Sequence, residues 1–242
     1  MNTVRTVSST KAAFQQTYQR PINSVYRRFV EEFLTELHLV TVNSKFTYDP
    51  FFAMGMVKVY EQFMQGYAPT DQAQPIFDAV CQSLQFKPDV IRQDAEKLTE
   101  ILASADRDRA LEVLQLNATT SDIGGIKGIL DKIRNNPDFH YSRTFLLGLY
   151  IAFTMVAPEN ADKERKVKLF GDITDTLKFP KDRVDKDLDL YNSNIEKLEQ
   201  ALAVMKDLAE AAKRDREKAA ATPAESTASS EAPSENAPTP VE

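Results

Sequence analysis

Apolar and polar positions alternate with a helical period through residues 20–67, and the pattern predicts two helices there. In the first, apolar pairs recur at three- and four-residue steps between Val25 and Leu37, with polar pairs between them. This spacing places one apolar stripe on one helix face. Pro21 suits the first turn of this helix, where a missing N–H group costs nothing.

The second helix is predicted to begin at Pro50, with Asp49 as its N-cap and Gly66 as its stop. Only Lys58 and Glu61 are charged along it, so it is apolar nearly all round. A helix of this kind is buried. We therefore expect the first helix to pack against it.

Helical spacing continues along the rest of the chain, and no segment shows the two-residue alternation of a convincing strand. Ser8 or Ser9 is the candidate cap of a short first helix, and Ser142 is the candidate cap of a second nearly all-apolar helix. The further helices are predicted over residues 7–18, 76–85, 90–103, 106–116, 126–133, 145–156 and 160–177. The buried positions of the last are predicted to be Val167, Phe170, Ile173 and Leu177. The predicted fold class is all-α.

The C-terminal third has a different pattern, because its apolar positions alternate in steps of four and three. Such steps are typical of a coiled-coil seam. A helix over residues 181–218 would extend about 57 Å at 1.5 Å per residue, so it docks along the domain, projects as an arm or pairs with another chain. The seam positions are Val184, Leu188, Tyr191, Ile195, Leu198, Leu202, Met205, Ala209 and Ala212.

These patterns predict three regions. Residues 1–178 form a single multi-helix globular domain, and residues 179–218 form the long coiled-coil-like helix. Residues 219–242 consist mostly of Ala, Pro, Ser, Thr and Glu, which bury too little apolar surface to fold, so this tail is predicted to be disordered.

Charge is distributed unevenly along the chain. The net charge is −6, yet the first thirty residues contain no acid and five basic side chains: Arg5, Lys11, Arg20, Arg27 and Arg28. This asymmetry is typical of a docking face for an anionic surface. The alternative is that the pairs Arg27–Glu31 and Arg28–Glu32, four residues apart, neutralise each other on the helix surface.

Packing of the apolar stripe leaves this charged ridge unassigned, which makes it the candidate partner-binding site. Its residues are Arg20, Arg27, Arg28, Glu31 and Glu32.

The sequence yields no catalytic residue, metal-ligand set or cofactor-binding motif. Cys81 lies on an apolar helix face and is interpreted as a packed core thiol. His38 and His140 lack the spacing of a metal helix and are interpreted as structural or surface side chains. The glycine cluster at residues 121–128 lacks the ending of a nucleotide-binding loop, so it is interpreted as a loop-to-helix junction in which Gly128 allows close helix packing.

The acidic charge, the N-terminus and the longest apolar run each narrow the function. Most of the carboxylates at residues 182, 185, 187 and 189 are expected to face solvent, and the acidic total disfavours nucleic acid as a partner. The N-terminus shows no signal peptide. The longest apolar run, residues 145–157, is shorter than the roughly 20 residues that a membrane span requires. We therefore expect no transmembrane span.

Several blocks of the sequence resemble a known family. Residues 4–14 (VRTVSSTKAAF), 20–43 (RPINSVYRRFVEEFLTELHLVTVN), 46–69 (FTYDPFFAMGMVKVYEQFMQGYAP) and 76–84 (IFDAVCQSL) closely resemble the thylakoid-formation protein family. The triplet Tyr141-Ser142-Arg143 and residues 185–201 (DKDLDLYNSNIEKLEQA) resemble its later blocks. The likeness covers most of residues 1–213, is weak over 103–125 and does not extend to the tail.

The resemblance implies an all-helical, non-enzymatic protein at the cyanobacterial thylakoid membrane, peripheral on its cytoplasmic face, or in the cytoplasm. It implies the thylakoid FtsH-type AAA protease complex as partner and a role in photosystem II biogenesis and repair. Photosystem II assembly intermediates are further candidate partners, and no cofactor is expected. The alternative function is docking on anionic lipid through the basic N-terminal region. The oligomeric state stays open, because the long helix is also able to pair with a second copy.

Overall fold

Ten α-helices follow one another along the part of the chain that the computed structural model describes, residues 5–221, with side chains described through residue 214. No strand occurs in this range, and the all-α prediction is confirmed. A short 3-10 helix, Thr70–Gln72, lies between the third and fourth helices. The helices are α1 Val7–Thr17, α2 Ser24–Thr41, α3 Pro50–Phe63, α4 Ala73–Ser83, α5 Pro88–Ser104, α6 Arg107–Leu114, α7 Ile126–Asn135, α8 Arg143–Val156, α9 Lys163–Thr176 and α10 Lys181–Ala221.

The two nearly all-apolar helices, α3 and α8, begin at the predicted caps. The Asp49 carboxylate accepts hydrogen bonds from the amides of Phe51 and Phe52 at 2.8 and 3.0 Å, and Pro50 is the first residue of α3. Burial raises the pKa of Asp49 to about 7, although those two amide bonds act in the opposite direction. At the start of α8 the Ser142 hydroxyl accepts a hydrogen bond at 3.2 Å from the amide of Phe145, in the first turn of the helix.

The caps or first residues of three helices differ from those that the sequence predicts. The cap of α1 is Thr6, which forms a reciprocal capping box with Ser9. Each side chain accepts a hydrogen bond from the other residue's backbone amide, so two amides that lack a partner within the helix are both satisfied. The cap of α2 is Asn23, so Pro21 lies ahead of the helix rather than in its first turn. The fourth helix begins at Ala73, three residues before its predicted start at residue 76.

The centre of the fold is the packing of α3 against α8, and two glycines allow it. A Cβ atom on Gly55 would lie 1.9 Å from the carbonyl oxygen of Thr144, and one on Gly148 would lie 1.9 Å from that of Phe51. The two backbones therefore approach each other where neither has a side chain. By contrast, a Cβ on Gly128 would meet only Asp122 at an ordinary 3.6 Å, so the predicted role of Gly128 in close packing is wrong.

The first helix pair packs as predicted, through aromatic side chains. The Phe29 ring of α2 stacks on Phe63 of α3 with centroids 4.6 Å apart, and Phe33 lies 6.0 Å from Tyr60. With these rings between them, α2 and α3 lie farther apart than α3 and α8, whose backbones approach each other at the two glycines. The amphipathic helix α2 thus covers the buried helix α3, while the closest partner of α3 is α8.

The buried stripe of α9 is confirmed at three of its four positions. Phe170, Ile173 and Leu177 are buried, whereas Val167 is 63% exposed. At about 100° per residue, the stripe that the three buried side chains form is centred well away from Val167 around the helix axis. Helical spacing alone does not fix how wide the covered stripe is.

Contacts divide the chain into two units, with the first ending at Leu198 and the second beginning at Glu199. Within the first unit, the seam residues Val184 and Tyr191 of α10 are buried. Within the second, Met205 is exposed. The predicted boundaries after residues 178 and 218 stay predictions, and residues 222–242 of the predicted disordered tail lie outside the described residues.

Length and hydropathy together decide whether a helix is able to span a bilayer. Of the helices within residues 5–221, none has both the length and the hydropathy that a membrane span requires.

Cys81 is a core thiol, as predicted, and its side chain is fully buried in α4. Burial raises its pKa to about 12. Because alkylation needs an accessible thiolate, we expect native protein to react with a maleimide at least about a hundredfold more slowly than protein unfolded in guanidinium. Mass spectrometry of timed samples measures both rates. Equal rates in the two conditions would show that the thiol is accessible.

Candidate functional site: two clefts beside helix α2

The exposed face of α2 separates two concave spaces. The larger, which we call the charged cleft, has a volume of about 540 Å³ and lies between α1, α2, the start of α8 and the first turns of α10. The smaller, which we call the basic groove, has a volume of about 320 Å³ and lies between α1, α2 and the loop that joins them. Lys11 and Glu31 line both, so they stand where the two spaces meet.

The five predicted site residues are distributed over these two clefts. Arg28, Glu31 and Glu32 line the charged cleft, while Arg20, Arg27 and Glu31 line the basic groove. Residues chosen from one helix and its preceding loop therefore line two neighbouring clefts that share Lys11 and Glu31.

The two predicted ion pairs have different outcomes. Arg28 Nε lies 2.8 Å from Glu32 Oε1, so this pair forms, on exposed side chains. Arg27 instead donates to the backbone carbonyl of Ile22 at 3.2 Å, which leaves the Glu31 carboxylate without an ion pair among the described residues. Mutual neutralisation thus accounts for one pair only.

A network of charged side chains at the inner wall of the charged cleft connects three helices. Arg143, the first residue of α8, lies 3.1 Å from Asp187 Oδ1 of α10 and 3.4 Å from Glu36 Oε2 of α2. The Tyr141 hydroxyl donates to Asp187 Oδ2 at 2.8 Å. The guanidinium of Arg183 lies over the Tyr141 ring, 4.9 Å from its centroid. The network fastens the first turns of α10 to the start of α8.

The network also sets protonation at this wall. Burial raises the pKa of Glu36, the Arg143 guanidinium acts against that rise, and Asp187 adds to it. Burial and the bond to Asp187 raise the pKa of Tyr141, so its hydroxyl stays a proton donor. The wall therefore presents the Tyr141 hydroxyl as a donor to Asp187 and the Arg143 guanidinium between two carboxylates.

Asp187 is the exception among the four α10 carboxylates, most of which the sequence predicts to face solvent. Its side chain is only 13% exposed, whereas Asp182, Asp185 and Asp189 are exposed. Heptad spacing indicates which residues of α10 share a face, but only the packing of α10 against the start of α8 shows that this carboxylate has partners. The resemblance did mark both segments, since Tyr141 to Arg143 and residues 185–201 belong to its later blocks.

The basic groove combines an apolar floor with a charged rim. Its rim has three cations, Lys11, Arg20 and Arg27, against the single carboxylate of Glu31. The floor consists of buried apolar residues of α1, α2 and their loop: Phe14, Tyr18, Ile22, Val30 and Leu34.

The other basic residues of the N-terminal region are partly engaged. Arg5 donates to the Thr41 hydroxyl at 3.2 Å in a part-buried position, and burial lowers the pKa of Arg5. Together with the ion pair of Arg28, this removes two of the five N-terminal cations from a freely presented basic surface, whereas Arg27 keeps free donors beside its bond to Ile22.

The histidines are structural or surface side chains, as predicted. His38 is buried and its Nδ1 lies 2.9 Å from the Thr10 hydroxyl, while His140 lies beside the Asn43 amide at the protein surface. Among the described residues, no three His, Cys, Asp or Glu side chains converge on a point where a metal ion would bind.

Together, the fold and this face define an all-helical protein with a concave, charged surface beside α2. The chain belongs to the thylakoid formation protein family, whose model matches residues 6–220. The resemblance seen in the sequence is thereby confirmed.

Relatives and a solved structure agree with this assignment. The chain is 45% identical over 220 residues to Protein Thf1 of Synechococcus sp. (strain JA-2-3B'a(2-13)), covering 90% of this chain and 92% of the relative. It is 41% identical over 226 residues to Protein Thf1 of Synechocystis sp. (strain PCC 6803), covering 92% of each. A solved structure of Psb29 aligns with a TM-score of 0.74 at 34% identity, covering 88% of this chain and 98% of that one. These matches support a role in thylakoid biogenesis.

Proposed function

We propose that this protein is a non-enzymatic binding factor that docks onto the thylakoid FtsH-type AAA protease complex and supports its accumulation. In this role it acts in photosystem II assembly and repair, peripherally on the cytoplasmic face of the thylakoid membrane. Membership of the thylakoid formation family supports the cellular process, and the resemblance described above supports the choice of partner.

One observation carries the choice of docking surface. Around the two clefts, Lys11, Arg20 and Glu31 have no ion pair among the described residues, although they surround a concave space. Exposed charges that no neighbour satisfies raise the encounter rate with a partner of complementary charge and select against others. A partner that covers α2 would meet all three at once.

The larger cleft offers the partner an apolar contact as well. Leu39 lines it and is 58% exposed, and the buried side chain of Val40 lies beside it. Interfaces gain much of their energy from a few apolar or aromatic anchors surrounded by polar contacts. The charged cleft therefore has the composition of a docking site for a protein side chain.

Co-purification tests this proposal. Full-length protein carrying an affinity tag is expressed in a cyanobacterium and recovered from detergent-solubilised thylakoids, and protease subunits are quantified by mass spectrometry. We expect the protease to be recovered with the native chain. We expect about tenfold less with the combined variant Arg20→Glu and Glu31→Lys, because two of the unpaired charges are reversed.

The matched control reverses one exposed cation and one exposed carboxylate away from both clefts, Arg109→Glu and Glu96→Lys, and leaves the net charge unchanged as the test variant does. Their side chains have no ion pair among the described residues, so this variant should recover as much protease as the native chain. Recovery of the native chain without protease subunits would refute the proposed partner. Equal recovery with all three chains would place the docking surface elsewhere.

A further inference from the structure

The basic groove has the shape of a peptide-binding site. It is concave, about 320 Å³ in volume, and its floor consists of side chains that the fold already buries. Binding sites of this kind combine an apolar lining with a few well-placed polar groups. An apolar side chain of a ligand would cover the remaining exposed surface of Phe14, Tyr18 and Ile22 without rearranging the helices.

The charge on the rim selects the ligand. Three cations face one carboxylate, although the whole chain carries a net charge of −6. Arg20 is exposed and has no ion pair among the described residues, and Arg27 uses one of its five N–H donors on the carbonyl of Ile22. Both guanidinium groups thus keep donors for a carboxylate, with which arginine forms strong paired hydrogen bonds.

The position of Glu31 gives the ligand a direction. Glu31 and Lys11 line both the groove and the charged cleft, while Arg20, in the loop before α2, lines the groove alone. A carboxylate of the ligand is therefore favoured near Arg20 and Arg27 and disfavoured beside Glu31.

We infer that the basic groove binds an extended acidic peptide segment, with an apolar side chain on the groove floor and carboxylates at Arg20 and Arg27. The inference rests on the proposed function in that it gives the chemistry of the partner segment at the same face. A peptide fits this surface better than a lipid bilayer does, because a flat membrane reaches the rim cations but not the floor between α1 and α2.

Fluorescence anisotropy with full-length protein tests the inference directly. The probe is a labelled serine-rich decapeptide with three glutamates and two leucines at its centre. Two matched probes replace the glutamates with lysines or the leucines with serines. At low salt we expect the acidic probe to bind at least about tenfold more tightly than either matched probe, with an affinity that falls as salt screens the rim.

Variants then locate the binding. Arg20→Glu alone should weaken the acidic probe severalfold, and with Arg27→Glu at least about tenfold. The single variant matters because Arg27 also bonds within the fold, whereas Arg20 does not. Arg109→Glu with Arg165→Glu is the control and should bind as the native chain does.

Several results would overturn the inference: equal binding of the lysine probe, unchanged binding by the groove variants, or capture only by vesicles containing anionic phosphatidylglycerol. The last result would instead support the anionic-lipid alternative. Protease recovery is measured separately. If recovery persists while the acidic probe fails, only this inference is lost, and if the probe binds while recovery fails, only the proposed partner is lost.

Discussion

Replacing Gly148 with alanine is expected to destabilise the protein by about 3 kcal/mol or more, or to prevent folding. The new Cβ would lie 1.9 Å from the Phe51 carbonyl oxygen and 2.8 Å from the Gly55 amide nitrogen, and both are backbone atoms of α3. Backbone in a buried helix has no rotamer by which to move away, so the two helices must separate. The roughly 1 kcal/mol that alanine gains over glycine in helix propensity does not offset that separation.

The measurement is the free energy of unfolding from urea titration followed by circular dichroism. Gly171→Ala is the matched control, because it lies inside α9 and a Cβ there meets nothing within 4 Å. We expect the control to leave stability unchanged or to raise it by up to about 1 kcal/mol. Gly55→Ala should behave like Gly148→Ala. Equal stabilities of the Gly148 and Gly171 variants would show that the close approach of α3 and α8 is not needed.

This close approach also determines the geometry of the docking face. Gly148 lies little more than one turn after Arg143 in α8, so any separation of α8 from α3 moves the residue that connects three helices in the charged cleft. A Gly148 variant that still folds should therefore also recover less protease.

Replacing Arg143 with methionine is expected to cost about 2–4 kcal/mol at pH 7. Methionine keeps much of the side-chain volume but removes the cation that faces Asp187, which is 13% exposed, and Glu36, which is 31% exposed. The two carboxylates would then repel each other in a partly desolvated wall. The hydrogen bond from the Tyr141 hydroxyl to Asp187 would remain.

The cost should depend on pH in a defined direction. The folded-state pKa of Glu36 is already raised above its usual 4.5 by burial, and Arg143 opposes that rise. Losing Arg143 raises the pKa further, so the folded variant holds a proton that the unfolded chain releases above about pH 4.5. Its stability therefore falls as pH rises above that value. The difference from the native protein should be small near pH 4 and largest at neutral pH.

A double-mutant cycle with Asp187→Asn separates this coupling from simple loss of packing. We expect the double variant to be more stable than the sum of the two single effects predicts, since the second change removes a charge that the first leaves unpaired. Arg28→Met is the control, because its ion pair with Glu32 is exposed and should contribute less than about 1 kcal/mol. Strictly additive effects would mean that Arg143 and Asp187 do not act together.

Local sequence determined the helices of this protein. Helical periodicity identified the all-α fold, and Asp49 and Ser142 were identifiable as caps because a cap bonds only to its own first turn. The same local logic failed where two signals competed. At α1, Thr6 caps the helix although Ser8 and Ser9 follow it closely, and at α2 the cap Asn23 outweighs Pro21.

The candidate site was predictable only as a set of charges. The sequence identified Arg20, Arg27, Arg28, Glu31 and Glu32 because helix packing left them unassigned, and all five line the two clefts. It did not identify the wall residues that α8 and α10 contribute, since their pairing depends on contacts between segments far apart in the chain.

What the sequence by itself determined is therefore the order of the helices and which side of each is apolar, because those properties depend on neighbours within a few turns. Only the tertiary structure decided that α3 and α8 meet at Gly55 and Gly148, that Asp187 turns inward to Arg143, and that Glu31 has no ion pair with Arg27 or any other described residue. The physical reason is common to all three. Each depends on the distance between atoms that the fold alone brings together, and no periodicity along the chain encodes that distance.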